Sequence, residues 1–271
     1  MENQEQRKIE GGRRVRGRSM ARPWSEPTRS KPPRNEPPLV SIIMVVKNAG
    51  EAIAETIESV LRQPSNDYEL IVVDGASEDG TVDILRSYDD GIEYWMSEPD
   101  RGVYDATNKA EAMASGQFLF HLNLGDTLLQ IPAQELRESW EEGAALVSFR
   151  VLLDHRDIFV PRQDWRLRLT NTLHHQGTFY RRDASIPYDL AYQVFADFDV
   201  NQKMTLSRRR VRLFDAIVAN HSTDGLSHSS RRFYEVFQII RKNHGFPYVF
   251  ASYGYFKLQG LKRRIRMACG V

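Results

Sequence analysis

Two apolar runs mark the start of the patterned part of the chain. Val40 to Val46 reads Val-Ser-Ile-Ile-Met-Val-Val and Leu70 to Val73 reads Leu-Ile-Val-Val, with no polar alternation to face water. Runs of this kind belong to parallel strands covered on both faces. Between them Ile53, Ile57, Val60 and Leu61 recur at helical spacing, with Glu51, Glu55 and Glu58 on the other side, and Pro64 stops the repeat. A short helix carrying Val82 and Leu85 follows, then a strand at 92–96, a helix from Tyr104 to Ser115 and a strand from Gln117 to Leu124. This alternation predicts a parallel sheet with right-handed crossovers. After Asp126 the pattern weakens. There it predicts strands within 144–160, helices over 195–206 and 229–243, and an amphipathic helix in 249–268, where aromatics mix with Lys and Arg.

Ahead of Leu39 the pattern is absent. Residues 1–38 hold six of the twelve prolines and ten Lys or Arg against five acids, with almost no large apolar residue. Such a segment buries too little surface to offset the entropy of ordering it, so disorder is expected. The expected organisation is a disordered tail over 1–38, a folded domain over 39–245 and a basic, aromatic tail over 246–271. A length of 271 residues suits one α/β domain with tails. The formal net charge of +1 gives no general attraction to nucleic acid, and no nucleic-acid partner is expected. The charge is uneven, however: no acid follows Glu235, while seven Lys or Arg do. The single cysteine, Cys269, excludes an internal disulfide and fits a reducing compartment. No run reaches the roughly 18–20 apolar residues that span a bilayer. No apolar leader follows Arg13-Arg14 either. A cytoplasmic location is expected, with the basic tail suited to contact with the inner membrane surface.

Ligands of open α/β sheets bind at the carboxyl ends of the strands, so residues there are the first candidates for chemistry. Lys47 and Asn48 close the first strand, and Asp74 closes the second ahead of Gly75-Ala76-Ser77-Glu78-Asp79-Gly80. An acid at Asp74 can hold a base or ribose, or can cap the turn that follows. Asn123 and Asp126 close the fourth strand in Leu122-Asn123-Leu124-Gly125-Asp126. The loop from Glu98 to Lys109 is dense in polar groups, and so reads either as a recognition loop or as a solvated, capped helix start. Asp197 and Asp199 lie near a predicted helix start, where the helix dipole favours acids whatever their use. His174 and His175 are adjacent, so their rings project in different directions. No Cys or Glu stands at ligand spacing, which makes His175 and Gln176 pocket-lining groups rather than a metal site.

Taken in order, these blocks resemble family 2 glycosyltransferases. The most specific match is Glu98-Pro99-Asp100-Arg101-Gly102-Val103-Tyr104-Asp105-Ala106-Thr107-Asn108-Lys109, and the resemblance covers residues 39 to about 245. It implies the glycosyltransferase-A fold, an α/β fold with a Rossmann-like, mostly parallel sheet flanked by helices. It further implies a nucleotide-sugar half over 39–126 and an acceptor half over 127–245. The donor, a UDP- or GDP-linked sugar, is then held by Asp74, Asp100, Arg101, Asn108, Lys47 and Asn48. A divalent metal, Mg²⁺ or Mn²⁺, is implied at Asp126 with Asn123, where the family usually carries Asp-x-Asp; here only Asp126 supplies a charge. Asp197 is implied as general base of an inverting transfer. His175, Gln176, Asp199 and Ser227 are implied beside the acceptor or the closing loop. The implied acceptor is a lipid-linked or saccharide intermediate of surface glycan assembly. Two rival readings stay open in the sequence. One is a catalytically inactive nucleotide-sugar binding module, kept open by the incomplete metal motif. The other is a sugar nucleotidyltransferase, which would need a glycine-rich basic phosphate loop that Val46-Lys47-Asn48-Ala49-Gly50 does not supply.

Overall fold

A computed structural model describes residues 8–16, 36–64, 66–222 and 232–269. The first buried strand is β2 (Val40–Val46), following β1 (Ile9–Gly11) and the turn of helix α1 (Arg13–Arg16). Then come α2 (Ala52–Leu61), β3 (Tyr68–Asp74), α3 (Thr81–Ser87), β4 (Tyr94–Ser97), α4 (Val103–Met113) and β5 (Phe118–His121). These elements form the predicted βα alternation: β2 pairs in parallel with β3 and β5, and β3 with β4. The second half holds β6 (Thr127–Leu128), α5 (Ala133–Glu141), β7 (Leu146–Leu153), β8 (Asp157–Phe159) and β9 (Thr178–Arg181). It closes with α6 (Ala196–Leu206), β10 (Val211–His221), α7 (Tyr234–His244) and α8 (Phe246–Cys269).

All strands join one sheet in the order β1-β4-β3-β2-β5-β9-β7-β10-β6, with β8 paired to β7. The fold is therefore α/β with a largely parallel centre, as the hydrophobic pattern predicts. Side-chain alternation divides its core in two. Val40, Ile42 and Met44 of β2 pack against Ile53, Ile57 and Val60 of α2 on one face. Ile43, Ile71 and Val73 pack against Ala106 and Ala110 of α4 and, with Phe198, Ile239 and Ile240, fill the other face. Both faces being covered explains why these strands read as continuous apolar runs. β2 has β3 on one side and β5 on the other, so the strand order reverses beside it. That reversal opens a crevice at the carboxyl ends of the strands.

The expectation of disorder through residue 38 fails for residues 8–16. Ile9–Gly11 pair antiparallel with Trp95–Ser97 and cover the edge of β4, an edge that would otherwise be open to unwanted pairing. Glycine at 11 is required, since a side-chain carbon there would lie 2.5 Å from the Trp95 ring. Arg14 then reaches the buried Glu69, Nη2 to Oε2 at 2.5 Å. Glu69 also accepts from the Ser41 hydroxyl at 2.6 Å and the Ser115 N–H at 2.6 Å. Composition cannot reveal this anchor, because it consists of ion pairs from Arg13 and Arg14 to Glu93 and Glu69 and three paired backbone residues rather than an apolar stripe.

Two changes test the anchor. Arg14→Ala should cost about 1–2 kcal/mol of stability, the range for a partly exposed hydrogen bond to a charged group. A chain starting at Asn35 should lose more, since it also uncovers β4 and Trp95. Denaturant unfolding checks both, and midpoints equal to that of the full chain would show that the segment contributes nothing.

Candidate active site

The crevice floor is built where β2, β3 and β4 end. Asp74 is fully buried; its carboxylate accepts from the Ser77 N–H at 2.9 Å, the Ser97 hydroxyl at 2.6 Å and the Ser77 hydroxyl. It thus clasps β3, β4 and the following turn, and its oxygens are already paired. Asn48 sits in a left-handed conformation at φ 50°, its side-chain oxygen accepting the Glu78 N–H at 3.1 Å. Asp100 and Lys47 meet above Gly75. A side-chain carbon at Gly75 would lie 2.3 Å from Asp100 Oδ2 and 3.3 Å from Lys47 Cδ, so only glycine lets them approach. Lys47 is exposed, and Asp100 spends one oxygen on the Gly102 N–H at 2.8 Å.

Two residues expected at the donor bond to the protein itself. Arg101 pairs with Asp105 at 2.7 Å, at the wall of a cavity. Asn108 turns its amide to the Tyr188 backbone, donating to the carbonyl and accepting from the N–H at 2.9 Å each. It therefore pins the acceptor-half loop to α4.

At the end of β5 the chain turns through Asn123, whose carbonyl accepts the Asp126 N–H at 3.1 Å. Asp126 is buried. Its Oδ1 accepts from Ser222 N–H at 3.0 Å and lies 2.9 Å from His221 Nδ1, while its Oδ2 is buried without a partner. Among the described residues no three His, Cys, Asp or Glu stand together as a closed metal cage. The free oxygen of Asp126, next to half-buried Asn123, instead fits a hard cation that completes its shell with phosphate oxygens and water. His221 fixes the other oxygen, as an outer-shell partner does.

The adjacent histidines diverge as expected. His174 packs edge-on to His221 at 4.9 Å and accepts the Gln176 N–H; burial, helped by His221, pushes it down to about 3. His175 points the other way and stacks on His121 at 4.8 Å with an 18° tilt. Burial first, then His121, holds His175 well below the usual histidine value. His121 lies 2.8 Å from Glu111, and the Nδ1 atoms of His121 and His175 are both buried without partners.

Asp197 stands in the first turn of α6. Asn171 Nδ2 donates to its Oδ2 at 2.7 Å, Asn201 Nδ2 donates to Asn171 Oδ1 at 3.1 Å, and the Tyr180 hydroxyl donates to Asn201 Oδ1 at 2.9 Å. The chain of bonds fixes which way each amide faces. Burial pushes the Asp197 carboxyl up to about 6, with the Asn171 bond acting against that rise. The helix start is held from outside. Glu235 of α7 accepts the N–H groups of Gln193, Val194 and Phe195 at 3.2, 3.0 and 3.2 Å. The Tyr104 hydroxyl donates to Val194 O at 2.5 Å and accepts the Ala196 N–H at 3.1 Å.

A cavity of about 320 Å³ opens beside this helix start, walled by Arg101, Tyr104, Tyr192, Val194 and Arg232 among others. Arg232 has no hydrogen bond or ion pair among the described residues. Asp199 is not part of this site. It is fully buried on the opposite side of α6, paired with Lys203 at 2.6 Å and accepting from Asn243 at 2.9 Å. Two residues apart on a helix means facing different ways, so Asp199 braces α6 against α7. Ser227 lies outside the described residues.

Sequence reasoning passed over His121, Glu111, His221, Asn171 and Glu235. Only His121 carried a local signal: a histidine within Phe118-Leu119-Phe120-His121-Leu122 must be buried, and a buried imidazole needs a partner. The others act through contacts distant in sequence.

Comparison with known proteins bears on the family and the fold. The sequence profile of Glycosyl transferase family 2 matches residues 41–203. A PGL/p-HBAD biosynthesis glycosyltransferase of Mycobacterium tuberculosis is 29% identical over 206 residues, covering 69% of this chain and 78% of its own. Among solved structures, Staphylococcus aureus TarS 1–349 in complex with UDP-GlcNAc superposes with a TM-score of 0.60 at 19% identity, over 75% of this chain and 66% of that one. The chain spans only 39% of the longer TarS structure. Mannosyltransferase PcManGT from Pyrobaculum calidifontis, in complex with GDP-Man and Mn²⁺, gives a TM-score of 0.53 at 21% identity, over 80% of this chain and 64% of that one. At these identities the structural likeness is one of fold.

The raised carboxyl of Asp197 has a consequence for stability. A carboxyl whose folded value exceeds its unfolded value near 3.8 favours the fold when protonated. That stability is full below 3.8 and is lost as pH rises through about 6. Asp197→Asn keeps the neutral form at every pH. It should therefore be more stable than the parent by about 1–3 kcal/mol near neutral pH, after allowance for partial exposure. The gain should vanish in acid below the unfolded value. Thermal midpoints across pH check this, and equal midpoints at neutral pH would mean that Asp197 ionises without penalty.

Proposed function

The chain belongs to glycosyl transferase family 2, and from that premise we propose that it transfers a sugar from a nucleotide-sugar donor to an acceptor hydroxyl, with inversion at the anomeric carbon. The observation that carries the reading is the Asp197 carboxylate at the start of α6, held in one orientation by Asn171 and pushed up to about 6 by burial. A base of that strength is ionised at neutral pH yet able to accept a proton as the acceptor oxygen attacks.

In this reading the donor half is 39–126 and the acceptor half 127–245. Lys47 and Asp100 face the nucleotide end of the crevice, with Asp74 and Asn48 shaping its floor. The diphosphate lies toward Asp126, whose unpartnered oxygen, with Asn123 beside it, would hold Mg²⁺ or Mn²⁺. A cation there supplies charge that steadies the departing diphosphate. His175 and Gln176 lie between the two halves, on the sugar side of the crevice. The acceptor occupies the cavity walled by Tyr104, Tyr192 and Val194. Its hydroxyl oxygen forms a bond to the anomeric carbon while the bond from that carbon to the diphosphate oxygen breaks. The electron pair leaves on the diphosphate, and the hydroxyl proton passes to Asp197. Ser227, which lies outside the described residues, is assigned to closure over the diphosphate.

The donor is UDP- or GDP-linked: TarS and PcManGT were solved with UDP-GlcNAc and with GDP-Man. The named mycobacterial relative acts in PGL/p-HBAD biosynthesis, which supports a lipid-linked or saccharide acceptor in surface glycan assembly.

Turnover of the matching nucleotide sugar should fall about tenfold per pH unit below the Asp197 value near 6 and level off above it. Asp197→Asn should slow single-turnover transfer by roughly 10²–10⁴-fold while leaving donor affinity unchanged. Asn171→Ala removes the bond that favours the ionised form, so its acid limb should move to higher pH. An Asp197→Asn protein with parental turnover would place the base elsewhere.

A further inference from the structure

The outward face of α8 is apolar where a solvated helix would be polar. Its inner face is already occupied. Ser252 is fully buried and donates to Leu169 O at 2.7 Å, and Phe256 packs on Phe233 at 4.9 Å. Phe246, Phe250, Tyr253, Lys257 and Leu261 recur at steps of three or four, which places them along one stripe on the other side. Phe250 is 73% exposed, Phe246 56%, Leu261 55% and Tyr253 53%. Solvent-facing side chains of this size and number on one stripe mark a docking surface.

Charge identifies what docks. From Lys257 to Arg266 the helix carries Lys257, Lys262, Arg263, Arg264 and Arg266 with no acid, and none follows Glu235 at all. A groove on another protein would satisfy the apolar stripe but leaves this acid-free basic run without a reason. Aromatic rings and leucines flanked by Lys and Arg match an anionic bilayer, where the rings enter the interfacial layer and the cations meet phosphate groups. The helix lies on the surface rather than crossing it: among the described residues no helix is long and apolar enough to span.

We propose that α8 docks the protein on an anionic membrane surface through the Phe246–Phe250–Tyr253–Leu261 face. The docked helix then holds the cavity rim close to the lipid, because Arg232 directly precedes Phe233, which packs on Phe256. This inference does not rest on the proposed reaction, and its test needs no turnover.

The full chain is sedimented with vesicles of phosphatidylcholine alone and with vesicles also containing phosphatidylglycerol, at low and high salt. It should pellet with the anionic vesicles only, and less at high salt because screening shortens the reach of the basic run. The Phe250→Ser, Leu261→Ser double variant should bind at least about tenfold more weakly with an unchanged thermal midpoint, since both side chains are exposed. Lys257→Glu, which leaves the apolar stripe intact, should also weaken binding. Failure of the parent protein to pellet with anionic vesicles overturns the proposal, as does double-variant binding equal to the parent's. A dimer in analytical ultracentrifugation that these substitutions dissociate, with no vesicle binding, would instead make the face an interface between two copies.

Discussion

Three backbone N–H groups just ahead of α6, those of Gln193, Val194 and Phe195, all donate to the carboxylate of Glu235. Phe195 offers no side-chain cap, so the acid arrives from another element, the first turn of α7. A buried negative charge at the positive end of a helix is favoured by both dipole and hydrogen bonding. Glu235 is 1% exposed, so these bonds form where water does not compete. Much depends on them. They fix Val194 and Ala196 so that the Tyr104 hydroxyl can bridge the two, and they fix α6 so that Asp197 faces Asn171 while Asp199 faces Asn243. Without this clamp the carboxylate assigned as base would have no defined direction.

The rest of the site divides by whether its polar groups are satisfied. Asp74 and Asn108 turn their polar groups to the protein itself, and they define shape. Asp126 Oδ2, His121 Nδ1, His175 Nδ1 and Gln176 Nε2 are buried and unpaired. These four atoms belong to the end of β5, the turn after it and the segment leading into β9, the central part of the sheet. An unpaired buried polar atom is costly, so such atoms gathered in one place point to groups that a ligand completes. The crevice thus has a rigid, self-satisfied floor under Lys47 and Asp100 and an unsatisfied wall facing the region assigned to the diphosphate and sugar.

The parallel half of the fold was legible because it obeys a local rule: strands buried on both faces must be apolar throughout, as Val40–Val46 and Leu70–Val73 are. Asp126 and Asp197 were singled out by the family-like blocks they stand in, since an acid ending a strand or starting a helix is common whatever its use. Arg101 and Asp199 pair with Asp105 and Lys203, apart from their neighbours Asp100 and Asp197, for a shared reason. Sequence proximity to Asp100 and Asp197 suggested a common site, whereas a turn and a helix aim neighbouring side chains apart. Glu235, Asn171 and the Arg14–Glu69 pair left no trace, because each matters only through a partner far along the chain. The N-terminal strand was missed because three residues on a sheet edge bury almost no apolar surface of their own.

The account's central claim is a single displacement at the anomeric carbon with Asp197 taking the proton. The anomeric configuration of the first product, read by proton NMR before mutarotation, tests it most directly. The chain is incubated with a panel of UDP- and GDP-sugars, with acceptor or with water in its place. The account predicts that the donor turned over gives a product of opposite anomeric configuration. Retention of the donor's configuration would contradict it, since a single in-line displacement inverts the anomeric carbon.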